Sequence, residues 1–227
     1  MTGLARLPMV TICAVNAALL LAGCGASVAI TQKAPGTDRP AVLSPPNPGP
    51  TPRAVIEAVA FKQNLVSRDA EPRLTQDFIA GAQGAGLFSE INANRDSRNH
   101  MRDVGITLSI NETLDTHGDE NQMRRERIEK SYILPIFTPF LIMYHRFQGD
   151  FESQMLVHVE RWDGETRQYT ALARGRMEYS YNADPEPSQQ ELVRQVTANV
   201  IQSLINQMTQ DRSFFVAPAA GGRVTGK

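Results

Sequence analysis

Thiols and imidazoles are the side chains of this sequence best suited to covalent or metal chemistry. The chain has two cysteines, Cys13 and Cys24, and four histidines, His100, His117, His145 and His158. No two histidines have the HExxH spacing that places a pair of imidazoles on one helix face around zinc. Asp115, His117 and Asp119 alternate two carboxylates with an imidazole and could converge on a cation. The full acidic pattern of a calcium loop is missing, so a solvated polar loop is expected there instead. The glycine-rich run Gly81-Ala82-Gln83-Gly84-Ala85-Gly86 is not a phosphate loop: it lacks the Lys-Ser/Thr pair and follows a helix rather than opening one. It reads as a helix end and turn. No GxSxG elbow occurs. A hydrolase pair could be hidden among the many carboxylates without leaving a motif. The expectation is a protein that is not an enzyme, with no catalytic, cofactor-binding or metal-ligating residues.

The chemistry that the spacing does support lies at Cys24. Arg6 stands near the start, an uncharged and mostly apolar run covers Leu7 to Leu21, and Leu21-Ala22-Gly23-Cys24 follows. A basic start, an apolar middle and small residues at the cut have the form of a secretory signal peptide. The four-residue sequence resembles the bacterial lipobox. The resemblance implies diacylation of the Cys24 thiol, cleavage before it and acylation of the new amino group. A transmembrane anchor is the alternative, but the run falls short of the ~20 residues a spanning helix needs. With Gly25 rather than Asp after the cysteine, the resemblance also implies sorting to the outer membrane. Two or three acyl chains hold a protein stably on a bilayer.

Cleavage there would leave about 200 residues, of which the foldable part makes one modest domain. Removal of Cys13 and acylation of Cys24 would leave that domain without a thiol, disulfide or cysteine metal site. Its fold must then rest on packing alone. A formal net charge of −1 gives no basis for a nucleic-acid partner.

The elements that would position any site follow in order. Residues 24–53 are rich in proline, with Pro35, Pro40, Pro45, Pro46, Pro48, Pro50 and Pro52, and poor in large hydrophobes. They are expected to form an extended tether holding the domain several nanometres from the membrane, or else a proline-rich recognition segment. The domain is expected over 54–215, with a loose tail over 216–227. Val55 to Lys62 reads as a strand with two largely apolar faces. Leu74, Phe78, Ile79 and Ala82 give a helix, and Leu87, Phe88 and Ile91 a short strand. Val104, Ile106, Leu108 and Ile110 alternate with polar residues, which predicts a half-buried antiparallel strand. Asp115 to Arg127 is almost wholly polar and reads as a loop. Phe151 to Glu160 and Thr166 to Tyr181 are expected to pair as a hairpin across the turn Trp162-Asp163-Gly164-Glu165. Leu192, Val196, Val200, Leu204 and Met208 predict an amphipathic helix opened by a Ser188/Glu191 capping box.

These elements predict an α+β fold with a mostly antiparallel sheet and two main helices packed on one face. Their order, with Ala85-Gly86-Leu87-Phe88 after the first helix and the apolar run before the hairpin, resembles a group of bacterial envelope lipoproteins. The group includes YajG-like lipoproteins, the peptidoglycan-synthase activator LpoB and the periplasmic domain of the curli secretion protein CsgG. The resemblance implies a non-enzymatic envelope role. No added strand pair of the kind that makes the CsgG channel is evident.

Ile133 to Tyr144 carries no charge and is broken by Pro135 and Pro139. It is either a buried edge of the core or an exposed loop. In the second case Ile136, Phe137, Phe140 and Leu141 would meet a membrane or a partner. The resulting expectation is an outer-membrane protein, lipid-anchored through Cys24. Its domain faces the periplasm and binds an envelope protein or peptidoglycan. The rival readings are an auxiliary subunit of a transport or secretion system and a cell-envelope hydrolase.

Overall fold

The structure is a computed structural model that describes residues 25–37, 51–64, 70–93, 103–131, 141–142 and 145–215. Among these, strands β1 (Ala26–Gln32), β2 (Arg53–Gln63), β3 (Glu90–Asn92), β4 (Val104–Asp115), β5 (Phe147–Arg161) and β6 (Thr166–Tyr179) form one sheet. The helices are α1 (Ala70–Gly84), α2 (Gly118–Ser131), α3 (Pro185–Gln210) and the short α4 (Arg212–Phe215). The fold is α+β.

The sheet order is β1-β6-β5-β4-β2-β3, and the sheet is mixed. β2 runs parallel to both neighbours, with Arg53 opposite Glu90 and Ala54 opposite Val104. A parallel neighbour needs a crossover connection, and α1 lies between β2 and β3 in the chain. Glu57 is an extra residue in the β2–β4 ladder, since Ile56 pairs with Ile106 and Ala58 with Thr107. The bulge switches the inward phase of the strand. Ala54 and Ile56 are buried before it, whereas Ala58 and Ala60 beyond it are exposed. The two apolar faces legible in the sequence are thus two halves of one strand on either side of a bulge.

The period-two alternation holds, but β4, expected as an antiparallel strand, runs parallel to β2. Val104, Ile106, Leu108 and Ile110 are all buried, and so is Glu112 in the same phase. The β5–β6 hairpin closes over Trp162–Glu165, with Gly164 at φ 83° and the Arg161 amide donating to the Glu165 carbonyl at 2.9 Å. α3 begins earlier than expected. Asp184 is its cap, accepting the Glu186 amide on Oδ1 at 3.0 Å, and Pro185 takes the first helical position. Ser188 is buried within the first turns.

Two expectations change. The polar stretch after β4 is the helix α2, not a loop. The expected tether is structured in part: β1 occupies the sheet edge from Ala26, and a turn follows in which Thr37 donates to the Ala34 carbonyl at 2.9 Å. Residues 38–50 of that stretch lie outside the described residues, as does the tail over 216–227.

The chain divides into two compact units. One takes the residues up to Ile30, Leu114–Phe151 and Gly175–Val193; the other takes Thr31–Thr113, Glu152–Arg174 and the chain from Arg194 onward. In the second, α1 lies so close to α3 that a Cβ on Gly81 would stand 3.3 Å from the Ile205 side chain. Leu74, Phe78, Val196, Val200 and Leu204 are buried there, and Phe215 closes the core edge-on against Phe88 with ring centroids 5.4 Å apart. In the first unit Phe147 stacks on Tyr179 at 5.4 Å and lies beneath the Arg125 guanidinium at 5.1 Å.

Candidate functional site

α2 carries almost no apolar stripe, and a buried amide helps to dock it. The buried Asn121 donates to the carbonyls of Thr116 at 2.7 Å and Gln148 at 2.8 Å, and accepts the Gln148 amide at 3.3 Å. Arg125 and the buried Ile128 lie on the same helix face as Asn121, one and two turns further on. The flanking face then presents Glu120, Met123, Arg124 and Arg127, at the i, i+3, i+4, i+7 spacing of one side of a helix. With His145, Arg146, Gln148 and Glu178 they line a cleft of about 580 Å³ that lies wholly within the first unit.

The cleft is predominantly basic. Arg124 donates to the Arg146 carbonyl and stands 3.7 Å from Glu120, an i,i+4 pair. Glu178 accepts from the Gln148 amide nitrogen at 3.5 Å. Among the described residues no carboxylate pairs with Arg127 or Arg146. Burial of the His145 ring, with the Arg127 and Arg124 guanidinia beside it, holds its pKa below the usual histidine range. Met123 stands on the same cleft with 60% of its surface exposed, more than any other large apolar side chain among the described residues.

Arg146 links this cleft to the start of the described chain, donating to the Gly25 carbonyl at 3.5 Å. The Ser180 amide, two residues beyond Glu178, donates to the same oxygen at 3.2 Å. Gly25 therefore lies beside Arg146, one of the residues that line the cleft. Its covalent neighbour Cys24 lies outside the described residues.

A second polar cluster holds Asp150. Arg176 meets it with two parallel bonds, Nε to Oδ1 at 2.8 Å and Nη2 to Oδ2 at 3.1 Å, and His117 Nε2 lies 2.7 Å from Oδ2. The Arg176 guanidinium, helped by His117, holds the Asp150 carboxyl below the usual carboxylate range. His117 takes φ 48°, and its amide is capped by Asp115 Oδ1 at 2.8 Å. Asp115 and His117 thus form the turn into α2, and Asp119 lies in the helix's first turn. Among the described residues, no three His, Cys, Asp or Glu side chains come together where they could hold a metal.

In the second unit, burial pushes the Glu112 carboxyl above its usual range, opposed by Thr197, Arg73 and Ser153. Thr197 and Ser153 donate to its Oε1 at 3.4 and 3.5 Å, and Gln63 donates to Oε2 at 3.3 Å.

Of the contact residues expected from the sequence, Leu141 is half-buried and beside the buried Ile142. Ile136, Phe137 and Phe140 lie outside the described residues. The arginines of the cleft were not singled out in the sequence. Their signal is the helical spacing of Arg124 and Arg127 within a segment that has no apolar period to announce a helix.

No protein-family model and no curated protein matches the chain. Solved structures share a loose likeness. A PelC dodecamer from Paraburkholderia phytofirmans aligns at a TM-score of 0.33 and 11% identity, over 78% of this chain and 98% of that one. A minor lipoprotein from Acinetobacter baumannii aligns at 0.36 and 11%, over 71% of this chain and 95% of its own. Likenesses this loose carry no conclusion about function or assembly. Among the described residues no helix is long and apolar enough to cross a membrane.

Proposed function

We propose that this chain is a lipid-anchored envelope protein of the outer membrane. Its α+β domain faces the periplasm and acts, without catalysis, as a binding module for a protein or cell-wall partner. The observation that carries the reading is the run Leu7–Leu21 closed by Leu21-Ala22-Gly23-Cys24. A short apolar run that ends in small residues and a cysteine matches a cleaved and acylated leader better than a spanning helix.

Two carboxylates of the domain are engaged within the fold, in keeping with a binding role. Asp150 is committed to Arg176 and His117, and Glu112 is enclosed by Gln63, Ser153 and Thr197. β1 supports it as well: it is an edge strand, mostly exposed along its length, and an edge strand is a template for an added strand from a partner.

Cells expressing the full chain or Cys24→Ala are labelled with a fatty-acid analogue and fractionated. The parent is expected to take up label and sediment with outer membranes, and the variant to stay unlabelled as an uncleaved precursor. Equal labelling of the two would refute the anchor. Crosslinking in intact cells, followed by mass spectrometry, then identifies the partner.

A further inference from the structure

We infer that the cleft lined by Arg124, Arg127 and Arg146 binds the phosphate group of a membrane phospholipid headgroup. The inference rests on the anchor reading for its geometry: Cys24 is joined directly to Gly25, and Gly25 is held at the cleft by Arg146 and Ser180.

Consecutive Cα atoms are about 3.8 Å apart, so an acylated Cys24 brings its lipid within one residue of the cleft rim. The headgroup layer on each side of a bilayer is several ångströms deep. A cleft fixed to Gly25 therefore lies at the level of neighbouring phosphates, with no spacer to lift it away.

The chemistry of the cleft fits a phosphate diester. Two of its guanidinia, Arg127 and Arg146, have no carboxylate partner among the described residues, and guanidinium forks match phosphate oxygens. The two carboxylates offset two of the three guanidinia and leave the lining with a net positive charge. Glu120 faces Arg124 at 3.7 Å, and Glu178 accepts from Gln148. The volume of about 580 Å³ admits a headgroup. Met123, exposed on the same lining, offers a flexible apolar side chain to the first methylenes of an acyl chain.

The same chemistry would accept free phosphate, and the test separates the two sources. Full-length protein is released from detergent micelles and weighed by native mass spectrometry. The micelles contain phosphatidylethanolamine, phosphatidylglycerol or diacylglycerol, with or without inorganic phosphate in excess. The parent is expected to retain phospholipid and to release diacylglycerol, which has the same tails without the phosphate. Arg127 is exposed, so its replacement leaves packing intact. Arg127→Gln is expected to lower retention about fivefold, and the double change with Arg146→Gln by twentyfold or more, at the usual worth of a basic residue near a lipid surface. Arg127→Lys should restore part of the loss.

Retention of diacylglycerol equal to that of phospholipid would overturn the inference. So would undiminished retention in the double variant with an unchanged thermal melt. Complete displacement of phospholipid by inorganic phosphate would assign the cleft to the free ion and overturn the lipid source. The covalent acyl mass on the Cys24 peptide is read in the same samples. Its absence, with phospholipid still retained by the arginines, refutes the anchor and supports the cleft. Its presence without retained phospholipid does the reverse.

Discussion

Asp150 shows how a single side chain can set acid sensitivity. Its carboxyl is held below the ordinary range by Arg176 and then His117, so the folded state binds a proton there more weakly than the unfolded chain. The stability it contributes is complete above the unfolded value of about 3.9 and is lost as pH falls through the depressed folded value. Melting temperature measured across the acid range should therefore fall more gently for Asp150→Asn than for the parent, with the parent better above pH 5. Parallel curves would show that the cluster adds nothing to folding. The residue pairings were only half legible in the sequence. Asp115, His117 and Asp119 stand out by proximity along the chain, whereas the partner that His117 meets, Asp150, lies 33 residues away. The roles of the cleft arginines were invisible for the same reason: spacing along one helix reveals a face, but not the carbonyl or carboxylate that a side chain finds across it.

Elements with a strict period were legible, and those held by something other than an apolar stripe were not. β4, the β5–β6 hairpin and α3 follow their sequence patterns because burial on one face enforces the alternation. α2 has two buried residues, Asn121 and Ile128, so hydrophobic periodicity had almost nothing to report. Asn121→Ala should be costly for so polar a helix. It leaves two carbonyls and an amide on the adjoining backbone without their partners, a loss of about 1–3 kcal/mol for each group that stays buried. Hydrogen exchange should show the amides of 118–131 opening before those of α3. Unchanged protection would mean that α2 is held elsewhere. The parallel pairings of β2 did have a signal: strand, helix and strand in succession over 53–92 are the order of a crossover unit.

At the scale of the whole molecule, the boundary of the foldable chain differs from the one composition suggested. Proline and glycine content places the domain start near Ala54, yet β1 pairs with β6 from Ala26 onward. Beyond β1, the Ser203 hydroxyl donates to the Pro35 carbonyl and Asn206 donates to the Gly36 carbonyl at 2.7 Å. Composition reports what a segment cannot bury by itself and is blind to a sheet edge that will accept it. A chain beginning at Ala54 should melt lower than one beginning at Gly25 and should self-associate, because it uncovers β6 as a new edge and strips two bonds from α3. Equal melting temperatures and equal sedimentation would assign 25–53 no part in the fold.

The placement of β1 also sets how the protein bears a load. Gly25 meets the Ser180 amide at the end of β6, so β1 starts where β6 finishes and returns along it. A pull on the proposed anchor at Cys24 would enter at the outermost strand, through Gly25. Pulled away from the sheet, hydrogen bonds at such an end open one after another, as in a zipper, instead of sharing the strain as they do in shear. With the anchor proposed at Cys24, β1 would be the first part of the sheet to open under such a pull, a mechanical fuse at the edge of the domain.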